Sequence, residues 1–409
     1  MTADMTTRAQ ELRHTLVDSL ERGLLRRGLT LFPAVKQALS TVPREAFIPE
    51  VSLEKAYEDT AVVTKRRPED NMGISSVSAP NLITDMLVQA HGTRGLAGAH
   101  VLEIGSGGYN AALLRHLVGD SGSVTTVDID QDVTDRARRC LDGAGYSDVR
   151  VIRADAEFEI EAGRRYDLII VTVGAWDIPP AWINQLTDNG VLVVPLRTYG
   201  TTRSWELLRS SDGLVSLSNM LAGFVPMQGA GRSEGWNVRL HEQINLWLNE
   251  THQREFDDTD LDGVFAHERH EVASGVVVPG GRRSADLDLW LATHLDRFAM
   301  MITKQEALGS GLVSPSSWFG TPALAHGSSL AYRGALRPLS DTEFEYVVYS
   351  HGPEAAAAAE RMTDQIRAWD AAGRPAPTLH VTPTGSPDHE LPQVQELAKR
   401  HSRLLFAWN

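Results

Sequence analysis

Leu12, Leu16, Leu20 and Leu24 recur at every fourth position with charged residues on the other sides, the spacing of an amphipathic helix. Gly28 predicts its end, because glycine tolerates the left-handed conformation that closes a helix. "AVKQALSTV" predicts a second, shorter helix, and the two prolines of "PREAFIPE" forbid its regular continuation. "VVTKRRPEDNMGISSVSAP" reads as an irregular segment, after which "NLITDMLVQAHG" returns to helical periodicity.

From residue 99 the pattern changes. Apolar runs "HVLEI", "SVTTVDI", "VRVIRA", "YDLIIVTV" and "GVLVVPL" alternate with helical stretches "NAALLRHLV", "DVTDRARRCLDGAG" and "PPAWINQL". Such runs are what a parallel sheet covered on both faces requires. After Pro195, "SWELLRSSDGLVSLSNMLAGF" predicts two antiparallel strands around a Ser-Asp-Gly turn, closing a first domain near residue 235. Downstream, "NETHQREFDDTDLDG" reads as a polar linker and "SADLDLWLATHLDRFAMMI" as a helix. "FEYVVYS", "PEAAAAAERMTDQIRAWDAAG" and "TLHVTP" predict a strand–helix–strand unit, and "RHSRLLFAW" a further strand. The expected organisation is an N-terminal helical region over 1–80, a sheet core over 81–235 and a C-terminal α/β domain over 236–409.

The 409 residues, 42% hydrophobic and 22% charged, suffice for two or three domains of ordinary globular composition. A net charge of -14 argues against a general nucleic-acid binder. The single cysteine, Cys140, excludes an internal disulfide and fits a reduced, cytoplasmic setting; in "ARRCLDGAG" it reads as a small apolar helix residue rather than a nucleophile. "MTADMTTRAQEL" is too polar for a signal peptide, and no apolar run approaches the roughly 18 residues that span a bilayer, so no membrane association is expected. "DDTDLDG" starts like a calcium loop at Asp258, Asp260 and Asp262, but the twelfth position is Arg269 instead of the required glutamate. His267 and His270 lack an evident third ligand, and no metal is expected.

The candidate chemistry centres on "VLEIGSGGYNAALLRHL". A dinucleotide fingerprint needs glycine or alanine at its sixth position, where Asn110 stands, and the Gly-Lys-Ser/Thr of a phosphate loop is absent. What remains is E-x-G-x-G, formed by Glu103, Gly105 and Gly107, which suits a cofactor without phosphates such as S-adenosylmethionine. Glu103 would hold the cationic side of that cofactor or the loop beneath it. Asp128, in "VTTVDID", would accept from the ribose hydroxyls and Asp155, in "RADAE", from the adenine amino group. Ser106, Asn110, Ile129, Ala156 and Val173 complete the expected cofactor set. Each acid has a plain alternative: Glu103 as a structural group, Asp128 as a helix cap, Asp155 as a loop acid.

"PREAFIP", "AYED", "SVSAPNLITDML", "VLEIGSGGYNAALL", "YDLIIVTVGAWDIPPAWINQL" and "GVLVVPL" stand in order between residues 43 and 196, and this set resembles the protein-L-isoaspartate O-methyltransferases. The resemblance implies a doubly wound, Rossmann-like S-adenosylmethionine-dependent core over 81–235, esterification of a peptide carboxylate, typically that of an isoaspartyl residue, and a site that includes the serine before Ala-Pro, here Ser78. Ser75 and Ser76 are supporting candidates. Against the family's usual pattern, "EIGSGGY" is one residue shorter, "KRRPEDN" lengthens the segment before Ser78, and the chain continues far beyond the core. In these respects, and in "SSVSAP", "VTTVDID", "VTDRARRCL", "VTVGAWDIPPAW", "GFVPMQGAG", "LDLWLATHL" and "KRHSR", it is similar to the lanthipeptide-associated or FxLD-type enzymes encoded with ribosomally made peptides. That similarity implies methylation of an aspartate in a modified precursor peptide, leading through a succinimide to isoaspartate, with the loop region 1–80 meeting the acceptor and the C-terminal domain recognising the peptide. Lys65, Arg66 and Arg67 would meet an acidic peptide or form a solvated loop. The competing readings are a general isoaspartyl repair methyltransferase and a non-catalytic peptide-binding module.

Overall fold

The computed structural model of the chain describes residues 3–92, 94–233, 236–248, 258–281, 284–317, 320–386 and 394–408. They belong to two compact units, one of residues 1–196 and 202–232, the other of residues 197–201 and 233–409.

In the first unit, α1 (Ala3–Leu25) buries Leu16, Leu20 and Leu24. Gly28 closes it at φ 72°, donating to the Leu25 carbonyl while the Leu29 N–H reaches back to Leu24. Helix α2 (Pro33–Thr41) buries Val35, Ala38 and Leu39, and the proline-bounded stretch after it keeps one 3-10 turn at Arg44–Phe47. A single helical turn, α3 (Leu53–Ala56), follows with Ser52 as its cap.

The next segment corrects the sequence reading. It is not irregular but an antiparallel hairpin, β1 (Val62–Arg66) and β2 (Gly73–Val77). Its pairing shifts register between Val63 and Lys65 and again between Lys65 and Arg66, which breaks the alternation that would have betrayed a strand. Helix α4 (Pro80–Gly92) begins three residues later, its Asn81 N–H donating to the Asp59 carboxylate at 2.8 Å.

The alternating region then lays down β3 (His100–Ile104), α5 (Tyr109–Val118), β4 (Ser123–Asp128), α6 (Gln131–Gly143), β5 (Arg150–Arg153), β6 (Tyr166–Val171), α7 (Pro180–Gln185), β7 (Leu186–Thr198), β8 (Thr201–Ser210) and β9 (Gly213–Leu221). The strands lie in the order β9-β8-β7-β6-β3-β4-β5. From β5 through β7 every pairing is parallel, and β8 pairs antiparallel with β9. This is the expected α/β, Rossmann-like architecture. The chain runs outward from β3 to β5 and returns to β6 on the other side of β3, so the strand order reverses there and leaves a crevice at the strands' C-terminal ends. Val101, Leu102 and Ile104 in β3 and Leu168 to Val171 in β6 are all buried, as central strands require. Cys140, on α6, is half-buried, and burial pushes its thiol pKa up.

The second unit contains β10 (Trp236–His241), β11 (Ile244–Leu248), β12 (His270–Pro279), α8 (Ala285–His294), β13 (Phe298–Thr303), α9 (Gln305–Gly309), β14 (Thr321–His326), β15 (Ser329–Arg333), β16 (Arg337–Pro338), β17 (Glu343–His351), α10 (Ala355–Ala371), β18 (Pro377–Pro383), β19 (Val394–Ala398) and β20 (Ser402–Trp408). An antiparallel sheet runs β10-β11-β13-β14-β15-β17-β12, with β16 beside β17, over a core that includes Leu246, Met301, Leu330 and Tyr332. The stretch read as one helix, "SADLDLWLATHLDRFAMMI", divides: α8 ends at His294, Arg297 takes φ 50°, and Phe298 opens a buried strand. Apolar residues lie on both sides of that break, so hydropathy alone did not reveal it. The expected strand–helix–strand succession is present as β17, α10 and β18, with β17 paired to β15 and β12 and β18 paired to β20. The expected linker falls largely on 249–257, outside the described residues. Among the described residues no helix is long and apolar enough to cross a membrane.

Candidate active site

At the end of β3 the chain turns through Gly105 to Gly108 into α5. Gly105 has φ 100°, and a Cβ there would lie 2.7 Å from Thr172 Oγ1 and 3.0 Å from Val173 Cγ1. Only glycine accepts both the conformation and the close approach. Gly105→Ala is expected to cost about 1–3 kcal/mol, read as a lower denaturant midpoint; an unchanged midpoint would refute this account of the turn. Gly107 lies beneath β2, where its Cβ would come within 3.2 Å of the Ser76 carbonyl oxygen.

Glu103 is fully buried below this turn. It accepts from Asn110 Nδ2 at 2.9 Å and from Thr126 Oγ1 at 2.6 Å, so it ties β3 to α5 and β4. Burial pushes its carboxyl pKa up to about 7, the nearby Asp128 charge acting in the same direction. Both oxygens serve the loop.

Asp128 ends β4 and accepts from the Ser106 N–H at 3.1 Å and the Asp130 N–H at 2.9 Å; burial raises its pKa. Asp130, not Asp128, caps α6, accepting from the N–H groups of Asp132 and Val133. The Ser106 hydroxyl is buried with no hydrogen-bond partner among the described residues. Asp155, after β5, accepts from the Glu157 N–H at 3.0 Å and from the Ala230 N–H at 2.9 Å. Trp182 Nε1 donates to the Ala156 carbonyl at 2.7 Å and fixes that loop.

The Ala230 contact exposes a part of the site that sequence reasoning missed. Residues 225–231 form a strap, stitched by Gly174 N–H to the Val225 carbonyl at 2.8 Å and by Met227 N–H to the Gly174 carbonyl at 3.0 Å. Gly229 passes so close to Asp155 that a Cβ would lie 2.4 Å from its Oδ2. A cleft lies between strap and strand ends. Of the expected residues, Gly105, Asp128, Ile129, Asp155, Ala156 and Val173 line it, joined by Ile74 and by Pro226, Met227 and Gln228 of the strap. Glu103, Ser106, Gly107 and Asn110 surround the turn without lining that cleft.

The serines occupy three different environments. Ser75 is buried and its hydroxyl accepts from Thr64 Oγ1 at 3.1 Å. Ser76 contributes its carbonyl above Gly107. Ser78 lies half-buried between β2 and α4. None of the three lines the cleft. The basic cluster before them is satisfied within the chain: Lys65 by Asp130 and Asp132, Arg67 by Asp70, and Arg66 by the Asn71 carbonyl.

Apolar walls, two acids at adjacent strand ends and no lysine or arginine in the lining fit a nucleoside-bearing cofactor without phosphates. Fold and site together define an S-adenosylmethionine-dependent methyltransferase. The family model described as protein-L-isoaspartate(D-aspartate) O-methyltransferase matches residues 15–231, more than half of the chain, and the chain belongs to that family. It is 33% identical over 210 residues to the protein-L-isoaspartate O-methyltransferase of Ignicoccus hospitalis, covering 51% of this chain and 95% of that one. With the enzyme of the same name from Methanococcoides burtonii it shares 34% over 200 residues, 48% of this chain and 92% of the relative. A solved structure described as a protein-L-isoaspartate O-methyltransferase aligns at 21% identity and TM-score 0.48, covering 90% of this chain and 96% of its own. The chain is thus a carboxyl O-methyltransferase of proteins or peptides, with S-adenosylmethionine as its cofactor.

Proposed function

We propose that the chain esterifies the side-chain carboxylate of an isoaspartyl residue in a protein or peptide. The observation that carries this reading is the crossing of β2 over Gly107, which sets the serine strand against the cofactor turn. When bound, S-adenosylmethionine supplies a methyl group on a sulfonium, an electrophile that needs no further activation.

The chain's residues then have to bind, orient and exclude water. Asp128 accepts from the ribose hydroxyls, its remaining lone pairs being free of the Ser106 and Asp130 N–H groups. Asp155 with Ala156 meets the adenine edge under Met227 and Gln228. Glu103, Asn110 and Gly105 hold the turn in shape, while Ile129 and Val173 form apolar wall. The acceptor carboxylate, with an ordinary pKa of about 4, is already ionised at neutral pH, so no general base is required. Ser78 donates its hydroxyl to one acceptor oxygen and aims the other, and Ser75 and Ser76 fix the strand from which it acts. Ser78→Ala is expected to lower kcat about 10- to 100-fold, the worth of one hydrogen bond to a charged group, while affinity for S-adenosylhomocysteine stays within twofold. An unchanged kcat would remove Ser78 from the site.

A second reading has its own support. Residues 233–409 lie beyond the matched segment, and the relatives are nearly spanned by half of this chain. A large additional unit is what an enzyme dedicated to one peptide would use, here an aspartate of a lanthipeptide-type precursor. Its methyl ester would carry a better leaving group than the free carboxylate, so the next backbone nitrogen attacks the ester carbonyl, expels methanol with its own N–H proton and closes a succinimide that water opens to isoaspartate. Competition at equal concentration among an isoaspartyl peptide, its aspartyl twin and a modified precursor peptide separates the readings. Methyl gain on the isoaspartyl peptide supports the first, gain on the precursor aspartate supports the second, and gain on none contradicts both.

A further inference from the structure

Hairpin β1–β2 meets the cofactor turn at Ser76 and Gly107. A second tether stands apart from that contact. Lys65 Nζ lies 2.7 and 2.6 Å from the two Asp130 carboxylate oxygens and 2.7 Å from Asp132 Oδ2. The N–H of Asp130 in turn donates to Asp128 Oδ1 at 2.9 Å, so the tether sits two residues from the acid assigned to the ribose. Across the hairpin Lys65 is paired with Ser75, and the register shifts on both sides of it, the kind of bulge that re-aims a side chain. Lys65 also lines a second cleft, which shares Ile74, Asp128, Ile129 and Gln228 with the first.

We propose that Lys65 is a positioning residue: its ion pair with Asp130 and Asp132 holds β2 against the methyl-donor cleft and keeps Ile74 in the cleft wall. The inference rests on the reading of β2 as the acceptor strand. A two-stranded hairpin is marginal by itself, so one ammonium shared by two carboxylates decides how much of the time the strand is in place. A misplacement of about 1 Å at a reacting centre costs on the order of 100-fold in rate, which makes a modest tether kinetically large. Both partners hang on the start of α6, beside Asp128, so filling the donor cleft and ordering the acceptor strand become one event.

The test compares Lys65→Met and Lys65→Arg with the unmodified full chain. Trypsin cleavage of the Arg66–Arg67 bond reports hairpin opening, with and without S-adenosylhomocysteine, alongside kcat/KM for an isoaspartyl peptide. Lys65→Met is expected to be cut about tenfold faster, to lose protection by S-adenosylhomocysteine and to show kcat/KM about tenfold lower at an unchanged unfolding midpoint. Lys65→Arg should restore both readouts. A Lys65→Met cleavage rate within twofold of the unmodified chain overturns the tether even if peptide is methylated. If instead cleavage responds as expected but the unmodified chain methylates no peptide, the acceptor reading fails and the tether stands.

Discussion

Asp128→Ala is expected to weaken S-adenosylhomocysteine binding at least about 100-fold in a chain that still folds. Two hydroxyls donating to one carboxylate make charge-assisted hydrogen bonds, each worth about 1.5–3 kcal/mol, and one such bond already accounts for about tenfold to a hundredfold. The carboxylate also orders the turn, through the Ser106 N–H, and the approach to α6, through the Asp130 N–H. Folding should survive because burial disfavours the Asp128 charge in the native state, so removing it relieves one cost while forfeiting two hydrogen bonds. Titration calorimetry gives the affinity and circular dichroism the fold. Binding within threefold of the unmodified chain would mean that this acid does not hold the ribose.

The second large effect concerns pH. Glu103 carries a carboxyl pKa raised to about 7 by complete burial, against an ordinary value near 4.5. A raised carboxyl pKa means that the folded state binds the proton more tightly than the unfolded one. The contribution to stability is therefore full below about pH 4.5, falls as pH rises towards 7 and is gone above it, a swing of about 3 kcal/mol. Other carboxylates, such as Asp70 held near 2 chiefly by its hydrogen bond from Arg67, act in the opposite sense and at lower pH. Glu103→Gln keeps the shape, can still accept from Asn110, and carries no proton to lose. The variant should thus gain on the unmodified chain as pH rises from 5 to 8, by up to about 3 kcal/mol in urea unfolding. Glu103→Ala, which strands Asn110 Nδ2 and Thr126 Oγ1 and opens a void, should be destabilised at every pH. Parallel stability–pH curves for Glu103→Gln and the unmodified chain would refute the assignment.

The sheet was legible because its central strands are buried on both faces and write themselves as apolar runs, and the acids were legible because Asp128 and Asp155 follow such runs directly. Glu103 stayed ambiguous between cofactor and loop until Asn110 and Thr126 were seen to take both of its oxygens. The hairpin hid behind two register shifts around Lys65, and the strand at Phe298 behind apolar residues that lie on both sides of Asp296 and Arg297. The strap could not be read locally at all: Ala230 reaches Asp155 across 75 positions of sequence, and a strap residue such as Met227 looks like any loop methionine. Contacts of that separation are fixed by strand order, which periodicity does not encode.

The position of the bound donor is the most direct test. A crystal structure of the full chain with S-adenosylhomocysteine should show the ribose hydroxyls on Asp128, the adenine between Ala156 and the strap, and the sulfur open towards Ser78. The product bound elsewhere, or its sulfur turned away from β2, would contradict this arrangement.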